Sequence, residues 1–190
     1  MKRLGAFLLA KEANAIVIAF LCALLPVFNI PTGFFAAIIV GFITLQKGSK
    51  SGLFLLAWVA LPAIALLILR KVGQFDVLFL RCVVMWILAS VLNRYRAWYF
   101  LLAIAVCMGV VFSLLLNHFV PNLQQWWVTQ LTLSIKQYIA QTHSKIGMTP
   151  AAFAHKMAPM ATAIALFVFF SSVLFELMIS RLWQKSLFKK

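Results

Sequence analysis

The chain has 190 residues, of which 65% are hydrophobic and 11% are charged, and its mean hydropathy is +1.03. These values exclude an ordinary soluble globular domain and indicate a protein that resides in lipid. Seventeen Lys and Arg residues against three acidic ones give a formal charge of +14. The basic residues lie in small groups between apolar blocks rather than along one solvated face, which argues against a nucleic-acid partner.

The amino-terminal residues 1 to 12 have some features of a signal peptide. Lys2 and Arg3 precede a short apolar run, but that run is interrupted by Lys11 and Glu12 before the first full-length apolar segment begins. The run is at the lower limit of length for a secretory signal, and a full-length apolar segment follows it at once. We therefore interpret residues 1 to 12 as a cytoplasmic lead-in.

Six apolar segments approach the length of about 20 residues that a membrane helix needs. They are residues 13 to 30, 31 to 45, 53 to 69, 77 to 92, 97 to 119 and 159 to 180. If the first two formed one helix, it would be ~50 Å long, which exceeds the thickness of the bilayer. The sequence Asn29-Ile30-Pro31-Thr32-Gly33 favours a hairpin instead, because the residue before Pro disfavours helix and Gly permits a left-handed backbone.

The distribution of basic residues supports the six-span interpretation. With six spans, eleven basic residues share one side, namely Lys2, Arg3, Lys11, Lys47, Lys50, Arg94, Arg96, Arg181, Lys185, Lys189 and Lys190. Five lie opposite, namely Arg70, Lys71, Lys136, Lys145 and Lys156. Five spans would divide the same residues eight against eight. The positive-inside rule therefore predicts an all-α bundle of six transmembrane helices, a single integral domain of the bacterial cytoplasmic (inner) membrane with both termini cytoplasmic.

The one long connection, residues 120 to 158, is predicted to lie outside and to contain an amphipathic helix. Its apolar residues recur at three- and four-residue steps, and they are Leu123, Trp126, Trp127, Leu131, Ile135, Tyr138 and Ile139. Gln124, Gln125 and Thr129 belong to the opposite, polar face. Thr149-Pro150 is typical of a helix start, and Pro159 is expected to kink the junction with the last span.

Motifs for catalysis, cofactors or metals are not found in the sequence, so we predict that the chain is not an enzyme. Gly48-Ser49-Lys50-Ser51 resembles the end of a phosphate-binding loop, but its spacing is wrong and no strand precedes it, so we interpret it as a cytoplasmic turn. The three histidines are His118, His143 and His155. None of them is three or four residues from another, as a helical metal-binding pair requires. The three cysteines, Cys22, Cys82 and Cys107, all lie in apolar segments and are interpreted as small buried residues.

Two ionisable residues, Arg81 and Glu176, fall well inside predicted spans, where a charge is costly enough to suggest a function. Placed by their apolar segments, they differ by ~18 Å along the membrane normal, so no salt bridge between them is predicted. Arg81 either reaches the outer headgroups or Asp76, or faces an outward-open pocket that receives an anionic ligand group. For Glu176 the alternatives are an interfacial pair with Arg181, Arg94 or Arg96, and a proton or cation site.

Ala15, Ala19 and Ala23 form a stripe of small residues on one face of the first predicted span. Such a stripe lets another helix approach closely. Two alternatives are open: packing inside the bundle and docking of a partner protein.

A resemblance to a known family follows from the arrangement of these features. The small-residue helix is followed by Pro31-x-Gly33 and by a second helix ending in Leu45-Gln46-Lys47-Gly48, and Ser51-Gly52-Leu53 comes next. This arrangement resembles the YybS-like bacterial membrane family and, more broadly, the S components of energy-coupling-factor transporters. The resemblance implies that the alanine stripe docks a transmembrane T component driven by ATPases. It also implies that residues 29 to 33 help to close a substrate pocket.

The sequence thus leads to two hypotheses of function. In the first, the chain is a substrate-capture subunit of an ATP-driven uptake system, and an unidentified small molecule binds at Arg81, Asn29, Thr32 and Trp126. In the second, it is a non-transporting scaffold or regulatory protein of the bacterial envelope, which explains the scarcity of polar residues inside the spans.

Overall fold

The computed structural model describes residues 5, 7, 11 to 25, 33 to 68, 75 to 142 and 149 to 188. All regular secondary structure in these ranges is helical, which confirms the all-α class for the described part of the chain. The helices are α1 (Glu12–Leu24), α2 (Gly33–Lys47), α3 (Ser49–Ile68), α4 (Phe75–Tyr95), α5 (Trp98–Phe119), α6 (Leu123–Thr142) and α7 (Pro150–Phe188).

Three of these helices have the length and composition needed to cross a membrane. They cover Val77–Tyr95 in α4, Trp98–Phe119 in α5 and Pro150–Ser186 in α7. Three shorter apolar stretches, Ala13–Leu24, Gly33–Lys47 and Ser49–Pro62, belong to α1, α2 and α3. The helices therefore support membrane association, as the composition predicts.

The helices form two compact units. The first unit comprises Met1–Ala105 and Ser171–Lys190, and the second comprises Val106–Phe170. Of the turn predicted at Asn29 to Gly33, residues 29 to 32 lie outside the described residues, together with the substrate-binding residues predicted there, and Gly33 is the first residue of α2.

The helix α2 occupies the centre of the first unit. Its residues from Ala36 to Leu45 are all buried, so the helix is covered on every side. A Cβ built on Gly33 would meet the side chain of Leu78, and one built on Gly41 would lie 3.0 Å from Met85. The contact on α4 moves from Leu78 to Met85 as the position on α2 moves from Gly33 to Gly41. The two helices α2 and α4 therefore run in the same direction.

The carboxyl-terminal part of α7 packs beside α2 in the same direction. The Ser180 hydroxyl lies 3.0 Å from the carbonyl oxygen of Ile38 and 3.0 Å from that of Glu176, and the amide of Gln184 donates to the Leu45 carbonyl over 2.9 Å. The rings of Phe42 and Trp183 stack, with their centroids 4.8 Å apart. These contacts fix the register between the two helices.

The connection between α2 and α3 is a single residue, Gly48, whose φ of +93° few other residues would adopt without strain. The Gly48 amide donates to the Thr44 carbonyl and the Gly52 amide donates to the Gly48 carbonyl. The turn predicted over residues 48 to 51 is therefore shorter than expected, and Ser49, Lys50 and Ser51 form the first turn of α3.

The alanine stripe of α1 lies inside the first unit. Ala15, Ala19 and Ala23 have exposed fractions of 3%, 0% and 1%, and α1 packs against α2 and α3. Their methyl groups are covered by the chain's own helices, which corresponds to the internal-packing alternative. Docking of a T component would need this face to be open, so we do not propose it further.

In the second unit, α6 has one half-buried face and one exposed face, as the periodicity predicts. Leu123, Trp127, Leu131, Ile135 and Ile139 are partly buried, whereas Trp126 and Tyr138 are exposed and do not belong to that face. The predicted apolar stripe is thus right in period and too wide, because it extends over two positions that face away.

The helix α7 begins where the sequence predicts. The Ala152 amide donates to the Thr149 hydroxyl, and Pro150 is the first helical residue. The helix then continues through Pro159 to Phe188. The predicted span from 159 to 180 is therefore only the middle of one helix of 39 residues.

Candidate functional site

Arg81 of α4 and Glu176 of α7 form a salt bridge in the first unit. The Arg81 Nη1 lies 3.2 Å from Glu176 Oε1, and the two side chains are 25% and 6% exposed. The Arg81 Nη2 donates a hydrogen bond of 2.6 Å to the Ser172 hydroxyl. Ser172 and Glu176 lie one helical turn apart on the same face of α7, so a single guanidinium binds both.

The expectation that these two charges are too far apart to pair is wrong. It placed Arg81 near the start of one apolar segment and Glu176 near the end of another that stops at residue 180. The α7 helix instead extends to Phe188, and Met85 and Ser180 both lie beside Gly41. Arg81 precedes Met85 by one turn of α4, and Glu176 precedes Ser180 by one turn of α7. Glu176 is therefore level with Arg81.

The hydrogen bonding of this pair is incomplete within the described residues. Arg81 Nε and Glu176 Oε2 are buried and have no hydrogen-bond partner there. Unpartnered buried atoms lower the stability that an ion pair contributes. The Glu176 carboxylate nevertheless compensates the positive charge of Arg81, so a role for Arg81 in binding an anionic ligand group has no support in these contacts.

The other predicted substrate-binding residue that the structure describes is Trp126, which belongs to the second unit. It is 48% exposed, and its ring meets that of Trp127 edge to face at 4.9 Å. Asn29 and Thr32 lie outside the described residues. The predicted pocket around Arg81, Asn29, Thr32 and Trp126 therefore stays a prediction.

A polar cleft of about 660 Å³ lies in the second unit. It lies between the end of α5, the turn that follows, the start of α6 and the first turns of α7. The lining residues are Asn117, Val120, Asn122, Leu123, Gln124, Gln125, Val128, Thr129 and His155. Six of these nine side chains carry uncharged hydrogen-bonding groups or an imidazole, in a chain that is otherwise 65% hydrophobic.

The backbone around the cleft is set by local hydrogen bonds. The Val120 amide donates to the Leu116 carbonyl and closes α5, and Asn122 takes a φ of +60°, which Asn tolerates better than most residues. The Trp126 amide then donates to the Asn122 carbonyl at the start of α6. Residues 120 to 122 therefore form the whole connection between α5 and α6.

A side-chain hydrogen bond joins α6 to α7 beside the cleft. The Trp127 indole donates to the Thr162 hydroxyl over 2.8 Å. Trp127 lies two residues after Gln125, and Thr162 lies two turns after His155. The bond therefore holds α6 and α7 together close to the residues that each contributes to the cleft. The polar face predicted for residues 124, 125 and 129 is the face that lines it.

Sequence reasoning identified part of this cleft only. The glutamines and Thr129 were recognised as a polar face, and His155 was recognised without a role. Asn117 and Asn122 were missed, although two amide side chains at the end of an apolar helix are a usable signal. Among the described residues, no three His, Cys, Asp or Glu side chains gather as they would around a metal ion.

Comparisons of the chain with protein-family models, with curated proteins and with solved structures found no match.

Proposed function

We propose that the chain is a multi-pass protein of the bacterial cytoplasmic membrane that captures a small polar solute in the cleft of the second unit. In this proposal it has six spans, both termini are cytoplasmic, and the cleft opens on the outer side. Capture of a solute in this way corresponds to the first hypothesis of the sequence, with the binding site moved from Arg81 to the cleft.

The membrane placement is supported by apolar side chains that the helices leave exposed. On α5, Val106, Leu114 and Phe119 are 67%, 65% and 73% exposed, and Phe167 on α7 is 73% exposed. Surfaces of this kind need lipid or protein to cover them. The common direction of α2, α4 and the carboxyl-terminal part of α7 supports six spans, because alternate spans must run the same way.

The single observation that carries the capture function is the cleft itself. Its volume of about 660 Å³ falls within the range of roughly 300 to 1,000 Å³ usual for small-molecule sites. Amide side chains offer donors and acceptors together, and Val120, Leu123 and Val128 add an apolar wall. Among the described lining residues none is Lys, Arg, Asp or Glu, so in this proposal the described wall of the cleft contacts an uncharged part of the solute.

The resemblance to S components supports a partner, a transmembrane T component with ATPases, as the source of energy. The buried alanine stripe does not offer the docking face that the resemblance implies. In our proposal a different surface of the chain meets the energising module.

The second candidate function is a scaffold or regulatory protein of the envelope. Two observations in the first unit favour it: the alanine stripe is filled by neighbouring helices, and Arg81 is neutralised by Glu176. A bundle packed in this way suits a fixed support. The cleft is the feature that this second candidate leaves unexplained.

Ligand screening of the purified full chain in detergent tests the capture function. We expect one or more uncharged vitamins, nucleobases or sugars to raise the melting temperature. Gln125→Ala and His155→Ala each weaken that ligand about tenfold, as expected when a hydrogen bond in a binding site is lost. The matched control is Gln137→Ala, on the exposed part of α6 away from the cleft.

Two results would overturn capture in the cleft. One is a panel in which no compound shifts the melting temperature, with the chain instead co-purifying with envelope proteins, which favours the scaffold. The other is a ligand whose affinity Gln125→Ala and His155→Ala leave unchanged.

A further inference from the structure

The turn between α4 and α5 combines two arginines with aromatic side chains that are exposed. Its sequence over residues 94 to 99, which we call the α4–α5 turn, is RYRAWY, so cationic and aromatic residues are interleaved over one short stretch. Arg94 and Arg96 are exposed, and within the described residues neither side chain forms an ion pair or a hydrogen bond. The capture function does not use this part of the molecule.

The backbone of the α4–α5 turn carries an arginine where glycine is usual. Arg96 has a φ of +53°, in the left-handed region that residues with a Cβ adopt at a cost. Its amide donates to the Leu92 carbonyl and closes α4, which is the helix-end position that glycine most often takes. Since glycine would suit this backbone better, the side chain of Arg96 is the part of the residue that needs an explanation.

The α4–α5 turn lies at the same level as the connection between α2 and α3. Ser49 lines a cavity together with Arg94, and α4 runs parallel to α2, so the two helices end close together. Lys47 ends α2 and Lys50 lies in the first turn of α3, and both are exposed. Two further cations are therefore near the turn.

The start of α1 and the end of α7 bring two more cations to this end of the first unit. Ala15 and Ser51 line one small cavity, so α1 begins beside the start of α3, and Lys11 at its N-cap is exposed. Gln184 is bonded to the end of α2, as described above, and the next residue, Lys185, is exposed. Helix ends that are distant in sequence thus gather their cations in one place.

Acidic residues do little to balance this charge. Of the three in the chain, Glu176 is paired with Arg81 and Asp76 lies at the opposite end of α4. Glu12, next to Lys11 in the first turn of α1, is the one that belongs to this end. The described part of the chain therefore presents an excess of exposed cations here, and such a surface attracts anions.

The exposed aromatic rings indicate which kind of anion this surface meets. Trp98 and Tyr99 are exposed, and so is Tyr95, whose ring stacks on Phe100 with centroids 5.3 Å apart. Trp and Tyr concentrate at the headgroup level of a bilayer, where the ring contacts acyl chains and the polar group reaches water. The candidate span Trp98–Phe119 begins within the turn. The two arginines therefore lie at headgroup depth, where lipid phosphates are, rather than out in the cytosol, where an acidic protein would be met.

We propose that the α4–α5 turn binds the headgroups of anionic phospholipids, with Arg94 and Arg96 contacting the phosphate and the neighbouring lysines adding positive potential. A guanidinium binds phosphate oxygens through parallel hydrogen bonds, which suits both arginines to this ligand. In the six-span arrangement proposed above the turn is cytoplasmic, and anionic lipids of that leaflet attract clusters of basic residues. The inference rests on that membrane placement and is independent of capture in the cleft.

Native mass spectrometry of the full chain in mild detergent, at physiological ionic strength, compares phosphatidylglycerol with phosphatidylcholine of the same acyl chains. We expect phosphatidylglycerol to bind at least about tenfold more tightly, because a cation near anionic headgroups contributes about fivefold in affinity. Arg94→Gln and Arg96→Gly each weaken phosphatidylglycerol about fivefold and leave phosphatidylcholine unchanged. Neither orientation nor a captured solute enters this measurement, so its failure is distinct from failure of the proposed function.

The variant Arg96→Gly separates a lipid contact from a structural role. Glycine adopts the positive φ of this position without strain, so the melting temperature in lipid-free detergent stays the same or rises while the affinity for phosphatidylglycerol falls. An arginine with a structural role alone would give the opposite result, a lower melting temperature with unchanged affinity, and that result would overturn the assignment of Arg96.

The matched control removes two exposed cations from the second unit, Lys136→Gln and Lys156→Gln. It has the same net charge as the double variant Arg94→Gln with Arg96→Gly, and we expect it to keep the preference for phosphatidylglycerol. The proposal is overturned if phosphatidylglycerol binds no more tightly than phosphatidylcholine, or if the control loses as much affinity as the arginine double variant. It is also overturned if the two arginines are needed only to bind an acidic polypeptide such as polyglutamate, because the surface would then dock a protein.

Discussion

The guanidinium of Arg81 lies 3.2 Å from the carboxylate of Glu176 and donates to the Ser172 hydroxyl on the preceding turn of α7. One charged side chain thus joins α4 to two successive turns of another helix. Glu176 is one of only three acidic residues in the chain. Its pairing with Arg81, whose side chain is 25% exposed, makes this ion pair a polar contact between α4 and α7 within the first unit.

We predict that breaking this pair destabilises the protein. Glu176→Gln and Arg81→Met each lower the free energy of unfolding in detergent by about 3 kcal/mol, because each leaves one buried group without its partner. The double variant Arg81→Met with Glu176→Gln costs less than the sum of the two. Strictly additive losses in this double-mutant cycle would show that the two side chains do not interact.

A second prediction concerns the close approach of α3 to α2 and α4. Gly52→Ala lowers the free energy of unfolding by about 2 kcal/mol, because a Cβ at this position collides with Thr44 and lies 3.0 Å from Trp86 Cδ1. The control is Gly109→Ala, where the added Cβ lies 3.7 Å from Phe170. That change stabilises its helix by up to about 1 kcal/mol, so opposite signs are expected from thermal unfolding of the two variants.

A third prediction concerns the alanine stripe. Ala19→Leu destabilises the isolated chain by about 1 to 3 kcal/mol, because Ala19 is fully buried and the added carbons must displace neighbours. Val17→Leu, at a residue that is 54% exposed, serves as the control and has little effect. If Ala19→Leu left the isolated chain unchanged, the stripe would be open to a partner after all.

The six-span arrangement predicts the side on which single cysteines can be labelled. In a variant with Cys22, Cys82 and Cys107 replaced by alanine, a membrane-impermeant maleimide added to intact cells labels Gln125→Cys and leaves Lys50→Cys unlabelled. Inverted membrane vesicles give the reverse result. Labelling of both positions from the same side would contradict the arrangement.

Much of the fold could be predicted from local signals. Apolar length located the helices, Thr149-Pro150 marked the start of α7, and the periodicity of residues 123 to 139 identified α6. The start of the last span was predicted at Pro159, whereas α7 begins at Pro150 and continues through Pro159; the kink expected there stays a prediction. Where a helix continues beyond its apolar segment, many of its residues are polar. Hydropathy alone does not predict that continuation.

The candidate sites were harder to predict, because they depend on how helices align. Nothing in the composition of α4 or α7 sets Arg81 level with Glu176; that register follows from Gly41 admitting Met85 and Ser180 together. The turn at residues 48 to 51 was recognised as basic and loop-like. In the structure this turn is reduced to Gly48, because Ser49, Lys50 and Ser51 are helical.

The separation of Arg81 from Ser172 along the chain, 91 residues, also has a consequence for biosynthesis. At translation rates of about 5 to 20 residues per second, Arg81 leaves the ribosome roughly 5 to 20 s before the segment that neutralises it. During that interval its charge must stay near water or lipid headgroups. The helix α4 therefore reaches its final position only after α7 has been synthesised. A nascent chain that stops before residue 172 lacks the α7 partners of Arg81, and quality control can recognise the unpaired arginine.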